Sequence, residues 1–222
     1  MNILLISDEE CLYLWDYYRP GRLDGIDLIL SCGDLDADYL TFLVTMGRAP
    51  VLYVHGNHDT GYESHPPEGC VCIEDRLVRV GGLRILGLGG SPNYSGGPHQ
   101  YTEREMERRI HRLRSLIRQA GGVDIVVTHA PVRGYGDDDD LPHRGFEAFL
   151  SMLDDYRPRY LVHGHVHTRY GVNRPRVLQL GDTTIINACE RYLLEIPPTG
   201  VPVTDVLPLR RSLLPRSSWK KT

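Results

Sequence analysis

Hydrophobic and polar positions fall into blocks along this chain, and one arrangement recurs five times. A short apolar run ends in a polar cluster: Ile3-Leu4-Leu5-Ile6 runs into Ser7-Asp8-Glu9-Glu10, residues 26–33 (IDLILSCG) into Asp34, and residues 50–56 (PVLYVHG) into Asn57-His58-Asp59. Residues 123–128 (VDIVVT) then lead into His129, and residues 159–164 (RYLVHG) into His165 and His167. These runs are nearly continuous Val, Ile and Leu, the pattern of strands buried on both faces. Three helices are predicted between them. One over 36–46 starts at Asp36 and carries Leu40, Leu43 and Val44. A second over 102–120 has a capping box in Thr102 and Glu105, an apolar stripe of Met106, Ile110, Leu113 and Ile117, and a stop at Gly121-Gly122. A third over 145–156 carries Phe146, Phe149, Leu150 and Leu153.

Strands alternating with helices predict an α/β fold. Residues 70–90 and 176–196 leave no room for helices and read as hairpins, so antiparallel strands are mixed in. The stretch from Pro197 is proline-rich with a basic end. The expected organisation is one domain over 1–196 followed by a peripheral or partly disordered tail over 197–222.

Composition narrows the function classes. The formal net charge is −4, which implies no overall attraction to nucleic acid or to an anionic membrane. No apolar segment approaches the roughly 18 residues needed to span a bilayer. The start of the chain lacks a signal-peptide pattern, and five scattered cysteines read as reduced thiols, so a cytoplasmic location is expected.

The polar clusters carry the chemistry. Open α/β sheets place ligands at the carboxyl ends of their strands, so Asp8, Asp34, Asn57, His129 and His165 are expected to converge on one crevice. His165 and His167 stand two apart, and on an extended segment they point the same way. These residue types suit divalent cations, and they are too many for a single tetrahedral ion. Two cations roughly 3.5–4 Å apart can clamp a phosphoryl group and generate a bridging hydroxide nucleophile.

The series Asp8-x-Glu10, Gly33-Asp34, Gly56-Asn57-His58-Asp59, Thr128-His129-Ala130-Pro131 and Gly164-His165-Val166-His167 resembles the calcineurin-like metallophosphoesterase family, whose motifs run DxH, GD, GNH[DE], a single H, and GHxH. The resemblance implies a four-layer α/β/β/α sandwich of two mixed sheets flanked by helices. It implies two divalent ions, drawn from Mn, Fe, Zn or Mg. Asp34 would bridge them; Asp8, residue 10 and His167 would complete the first site, and Asn57, His129 and His165 the second. His58 would face the phosphate and protonate the leaving oxygen, with Asp59 orienting it; a simple turn cap is the alternative for Asp59.

The chain departs from that pattern at Glu10, where the family has His. Glu10 either ligates the first cation, or turns away and leaves that site half-empty, or marks a metal-binding regulatory module with weak or no turnover. The first reading is preferred, with Glu9 at the intervening position pointing into solvent. A core of Asp8, Asp34, two divalent cations and one hydroxide is positive by one charge, and Glu10 would make it neutral. Such a core favours a small phosphodiester over a dianionic monoester. A nuclease acting on polymers would want a larger basic surface.

Weaker features remain. Asn93, Tyr94 and His99, in a glycine-rich loop, are candidates for the substrate side of the crevice. The aspartate run 137–140 and the arginines of helix 102–120 read as solvated faces. Trp15, Tyr17 and Tyr18 could stack a base or pack on a helix face.

Overall fold

The computed structural model describes residues 1–167, 175–203 and 206–209. The chain begins with β1 (Asn2–Ile6), β2 (Leu28–Ser31), helix α1 (Ala37–Gly47), β3 (Val51–Tyr53) and β4 (Val71–Cys72). It continues through β5 (Arg76–Val80), β6 (Leu83–Leu88), two short strands β7 (Ser91–Pro92) and β8 (Gln100–Tyr101), helix α2 (Glu103–Ala120) and β9 (Ile125–Thr128). Helix α3 (Ala148–Tyr156), β10 (Tyr160–His163), β11 (Val177–Leu180), β12 (Thr183–Asn187), β13 (Tyr192–Glu195) and β14 (Leu207–Pro208) follow.

Two large sheets result. One runs β13-β1-β2-β3-β4, parallel except for β13; the other runs β11-β12-β10-β9-β6-β5-β14, with a parallel centre and antiparallel edges. Alternation within each strand divides the apolar residues between two faces. Ile3 and Leu5 of β1 meet Ile85 of β6 and Ile125 and Val127 of β9 between the sheets. Leu4 and Ile6 face outward onto Tyr39, Leu40 and Leu43 of α1, while Leu86 and Val126 face Met106, Leu113 and Ile117 of α2 and Phe149 of α3. The layers are therefore α/β/β/α, as expected.

The helices obey their local signals. Thr102 and Glu105 close a reciprocal capping box and Gly121 ends α2 at φ 79°. Asp36 caps α1 by accepting from the Asp38 N–H. Helix α3 starts three residues later than predicted, because Phe146 is held in a bridge to Val132 and is buried in the core. Residues 76–88 and 177–187 form the two expected antiparallel hairpins. β13 does not extend the second hairpin; it crosses to pair with β1 in the other sheet. In the C-terminal stretch, β14 pairs with β5 and Val203 packs on the inter-sheet core; residues 210–222 lie outside the described residues. Trp15 packs edge-on against Tyr39 and Phe42, and Tyr18 against Phe42, which is the helix-packing alternative. Among the described residues no helix is long and apolar enough to cross a membrane.

Candidate active site

The ends of β1, β2, β3, β9 and β10 converge, and their loops are locked together by backbone contacts that only glycine permits. A Cβ on Gly56 would lie 1.9 Å from Asp34 Oδ1, and one on Gly164 would lie 1.9 Å from Ser7 Oγ and 2.6 Å from Asp8 Oδ2. The motif glycines are thus close-approach positions.

His129 is fully buried at the centre. Its Nδ1 lies 2.8 Å from the Cys32 carbonyl, while its Nε2 faces Asn57 Oδ1 at 3.0 Å and Asp34 Oδ2 at 3.3 Å. The Asn57 amide is oriented by donating from Nδ2 to the Tyr94 hydroxyl at 3.2 Å. With Nδ1 donating to the carbonyl, Nε2 presents a lone pair to two oxygens that themselves carry lone pairs. Only a positive charge satisfies that arrangement, and without a metal a proton on His129 supplies it. Burial pulls His129 down, yet the Asp34 carboxylate, Asp8 and the Cys32 carbonyl outweigh it and hold the imidazole at about 9. Burial likewise pushes Asp34 up, but His129 and the His58 backbone N–H hold it at about 2. His165 completes this cluster, its donor atom grouped with those of Asp34 and His129. Its Nε2 lies 2.6 Å from the Pro142 carbonyl, which leaves Nδ1 as the lone pair available to a cation. Burial, then the positive His129, lowers His165 to about 3, so it is neutral. The donor set therefore fits a divalent ion.

Asp8 and His165 both sit at left-handed φ, 64° and 69°. Each centres a tight turn, closed by Glu9 N–H to the Ser7 carbonyl at 2.7 Å and by Val166 N–H to the Gly164 carbonyl at 2.8 Å. Both Asp8 carboxylate oxygens accept from the His165 N–H at 2.9 Å. Burial raises the Asp8 carboxyl above its ordinary value, with Asp34 adding to the rise and His129 opposing it.

These turns end the strand alternation and correct two expectations. The Glu10 carboxylate accepts from the Asp36 N–H at 3.0 Å, at the start of α1, where the unpaired N–H groups and helix dipole favour a carboxylate. Glu9, not Glu10, reaches His167, with Oε1 3.2 Å from Nδ1. His165 groups with Asp34 and His129, and His167 with Glu9 and Cys189.

Other expected residues are placed as follows. His58 is exposed, and its backbone N–H donates to Asp34 Oδ1 at 2.8 Å. Asp59 is buried, and Oδ2 accepts from the N–H groups of Gly56 at 2.7 Å and Asp34 at 2.9 Å. Its contacts thus tie the two loops together, closer to the cap alternative than to direct orientation of the His58 ring. Burial raises it to about 6. A cavity of about 360 Å³ opens beside His58, lined by Leu35, Asp36, Asp38, Tyr62 and His65 among others. Asn93 accepts from the Gly96 N–H within its own loop. His99 is half-buried and stacks on His55 at 4.6 Å.

Arg104, Arg108, Arg112, Arg114 and Arg118 are exposed, as are Asp139 and Asp140, but each of these two faces has one residue turned inward. Arg109 is 3% exposed; it donates to the Gly89 carbonyl and pairs with Glu74 and Asp75. Glu74 in turn accepts from the N–H groups of His55 and Gly89. In the aspartate run, Asp137 accepts from the Gly134 and Gly145 N–H groups and pairs with Arg133, shaping the loop whose Pro142 carbonyl meets His165. Arg109 stands three residues after Met106 and four before Leu113, on the buried stripe of α2, so the helical period marked it; periodicity held no signal for Glu74, Glu9 or Cys189, which lie outside the regular elements.

Over residues 5–169 the sequence matches the calcineurin-like phosphoesterase family. UPF0046 protein C25E10.12 of Caenorhabditis elegans is 25% identical over 211 residues, covering 78% of this chain and 71% of that protein. Metallophosphoesterase domain-containing protein 1 of Homo sapiens is 29% identical over 146 residues, covering 64% of this chain and 41% of that protein, so the chain spans less than half of that relative. Among solved structures, TT1561 of Thermus thermophilus shares the fold with a TM-score of 0.55 at 13% identity, over 85% of this chain and 89% of that one.

Proposed function

We propose, from the premise that the chain belongs to the calcineurin-like phosphoesterase family, that it is a metal-dependent phosphohydrolase acting on a small phosphodiester. The observation that carries this reading is His129 Nε2 set 3.0 Å from Asn57 Oδ1 and 3.3 Å from Asp34 Oδ2, with His58, exposed, bound through its backbone to Asp34. Divalent cations held there would polarise phosphoryl oxygens and lower the pKa of a water. Asp34, Asn57, His129 and His165 hold that charge in place. His58, anchored through its backbone to Asp34, presents its imidazole to the leaving oxygen and gives it a proton.

The preference for a diester rests on charge. Asp36 and Asp38 line the cavity beside His58, and Asp8 stands behind Asp34. A substrate with a single negative charge suits that field better than a dianion. The test compares bis(para-nitrophenyl) phosphate with para-nitrophenyl phosphate after reconstitution with Mn²⁺. Metal-dependent turnover faster on the bis ester is expected, with His58→Ala about a hundredfold slower and Asp34→Asn inactive. Wild type no faster than Asp34→Asn on either ester overturns the enzyme reading in favour of a metal-binding module. A faster monoester overturns the diester preference.

A further inference from the structure

We infer that Glu9, His167 and Cys189 form a thiolate-bearing cation site, beside the one built on Asp34, His129 and His165. The inference rests on the metal-dependent reading above; His167 belongs to the motif series, whereas Glu9 and Cys189 are ligands that the series does not contain.

Three observations carry it. The donor atoms of Glu9, His167 and Cys189 all lie within 4.8 Å of one another. Glu9 Oε1 and His167 Nδ1 are 3.2 Å apart, close to the roughly 3.4 Å that separates two ligands on a tetrahedral ion with bonds of about 2.1 Å. The same spacing, 3.3 Å, separates His129 Nε2 from Asp34 Oδ2 in the neighbouring cluster.

The third observation is how Cys189 is delivered. Beyond β12 the chain passes from one sheet to the other, and there Cys189 forms a bridge with Ser7 while the Glu190 N–H donates to the Ser7 carbonyl at 2.8 Å. Asn187, itself buried, donates from Nδ2 to the Val166 carbonyl and accepts on Oδ1 from the Cys189 N–H, both at 2.8 Å. One side-chain amide thus fixes the segments carrying His167 and Cys189 relative to each other, while the Asp8 turn fixes Glu9. Such outer contacts are what hold ligands in a metal site.

A thiolate, an imidazole and a carboxylate favour Zn²⁺, Fe²⁺ or Co²⁺ over Mg²⁺. On binding, Cys189 gives its thiol proton to solvent as the sulfur–metal bond forms; no electron is transferred.

Cobalt titration of the metal-free full chain tests this. The expected result is a near-ultraviolet sulfur-to-cobalt charge-transfer band that Mg²⁺ does not displace. Cys189→Ser should lose the band while one Co²⁺ per chain still binds, and Cys70→Ser and Glu10→Gln should keep it. Should Cys189→Ser not fold, Glu9→Gln is the second probe, with at least a tenfold weaker titration of the same band expected. Cobalt binding without a thiolate band, or a band that persists in Cys189→Ser, overturns the inference alone. No cobalt binding by the wild type overturns the functional reading as well.

Discussion

Asp8 and His165, 157 positions apart, occupy the centres of two matching left-handed turns, and the Asp8 carboxylate accepts from the His165 N–H at 2.9 Å. A side chain on one strand end thereby sets the backbone of the other. Left-handed conformations cost about 1–3 kcal/mol each for non-glycine residues and persist only where surroundings over-determine them. Asp8→Ala should destabilise the protein by about 2 kcal/mol, the worth of a hydrogen bond to a charged acceptor. Asp8→Asn, whose amide oxygen still accepts, should lose less. Urea unfolding of both variants checks the order, and equal losses would show that the hydrogen bond is not the source.

The Tyr94 hydroxyl accepts from Asn57 Nδ2 and so turns Oδ1 toward His129 and Asp34. Tyr94→Phe should lower divalent-metal affinity about tenfold, as loss of an outer orienting contact does, with stability nearly unchanged. Calorimetric titration with Mn²⁺ measures it; unchanged affinity would remove Tyr94 from the site.

His129 gives the metal-free protein a defined pH dependence. Its folded value, about 9, stands above the ordinary imidazole value of 6.5, because Asp34 and Asp8 outweigh burial. Its stabilisation is therefore complete below pH 6.5 and is lost as pH rises through about 9. The urea midpoint of the metal-free protein should fall across that window, and saturating Zn²⁺ should flatten the fall by taking the place of the proton. A metal-free midpoint that stays level from pH 6.5 to 9 would contradict the assignment.

Arg109 is the buried cation between α2 and the loops after β4 and β6. Arg109→Ala should cost about 3 kcal/mol, at the low end for a broken buried pair because Glu74 retains 18% exposure. Pairing it with Glu74→Gln should recover part of that loss. Thermal unfolding of the single and double variants decides; a double variant no better than the single would mean that charge burial is not the source.

Local pattern was enough to specify most of the strands, the helix caps and the identity of most of the convergent residues, while the two-sheet arrangement came from the family resemblance. Buried strands need apolar runs, caps need Thr102 and Glu105, and close loop contacts need Gly56 and Gly164; each is a local demand that leaves a local mark. The same pattern chose the wrong carboxylate after Asp8 as the one facing His167, and it pointed His165 and His167 the same way, so that only the family resemblance set them in different sites. A period of two predicts side-chain direction only while the backbone stays extended, and the left-handed turns at Asp8 and His165 end that rule one residue before it was needed. The assembled fold brought Cys189 beside Glu9, because the crossover from β12 to β13 joins two sheets whose adjacency no local pattern encodes.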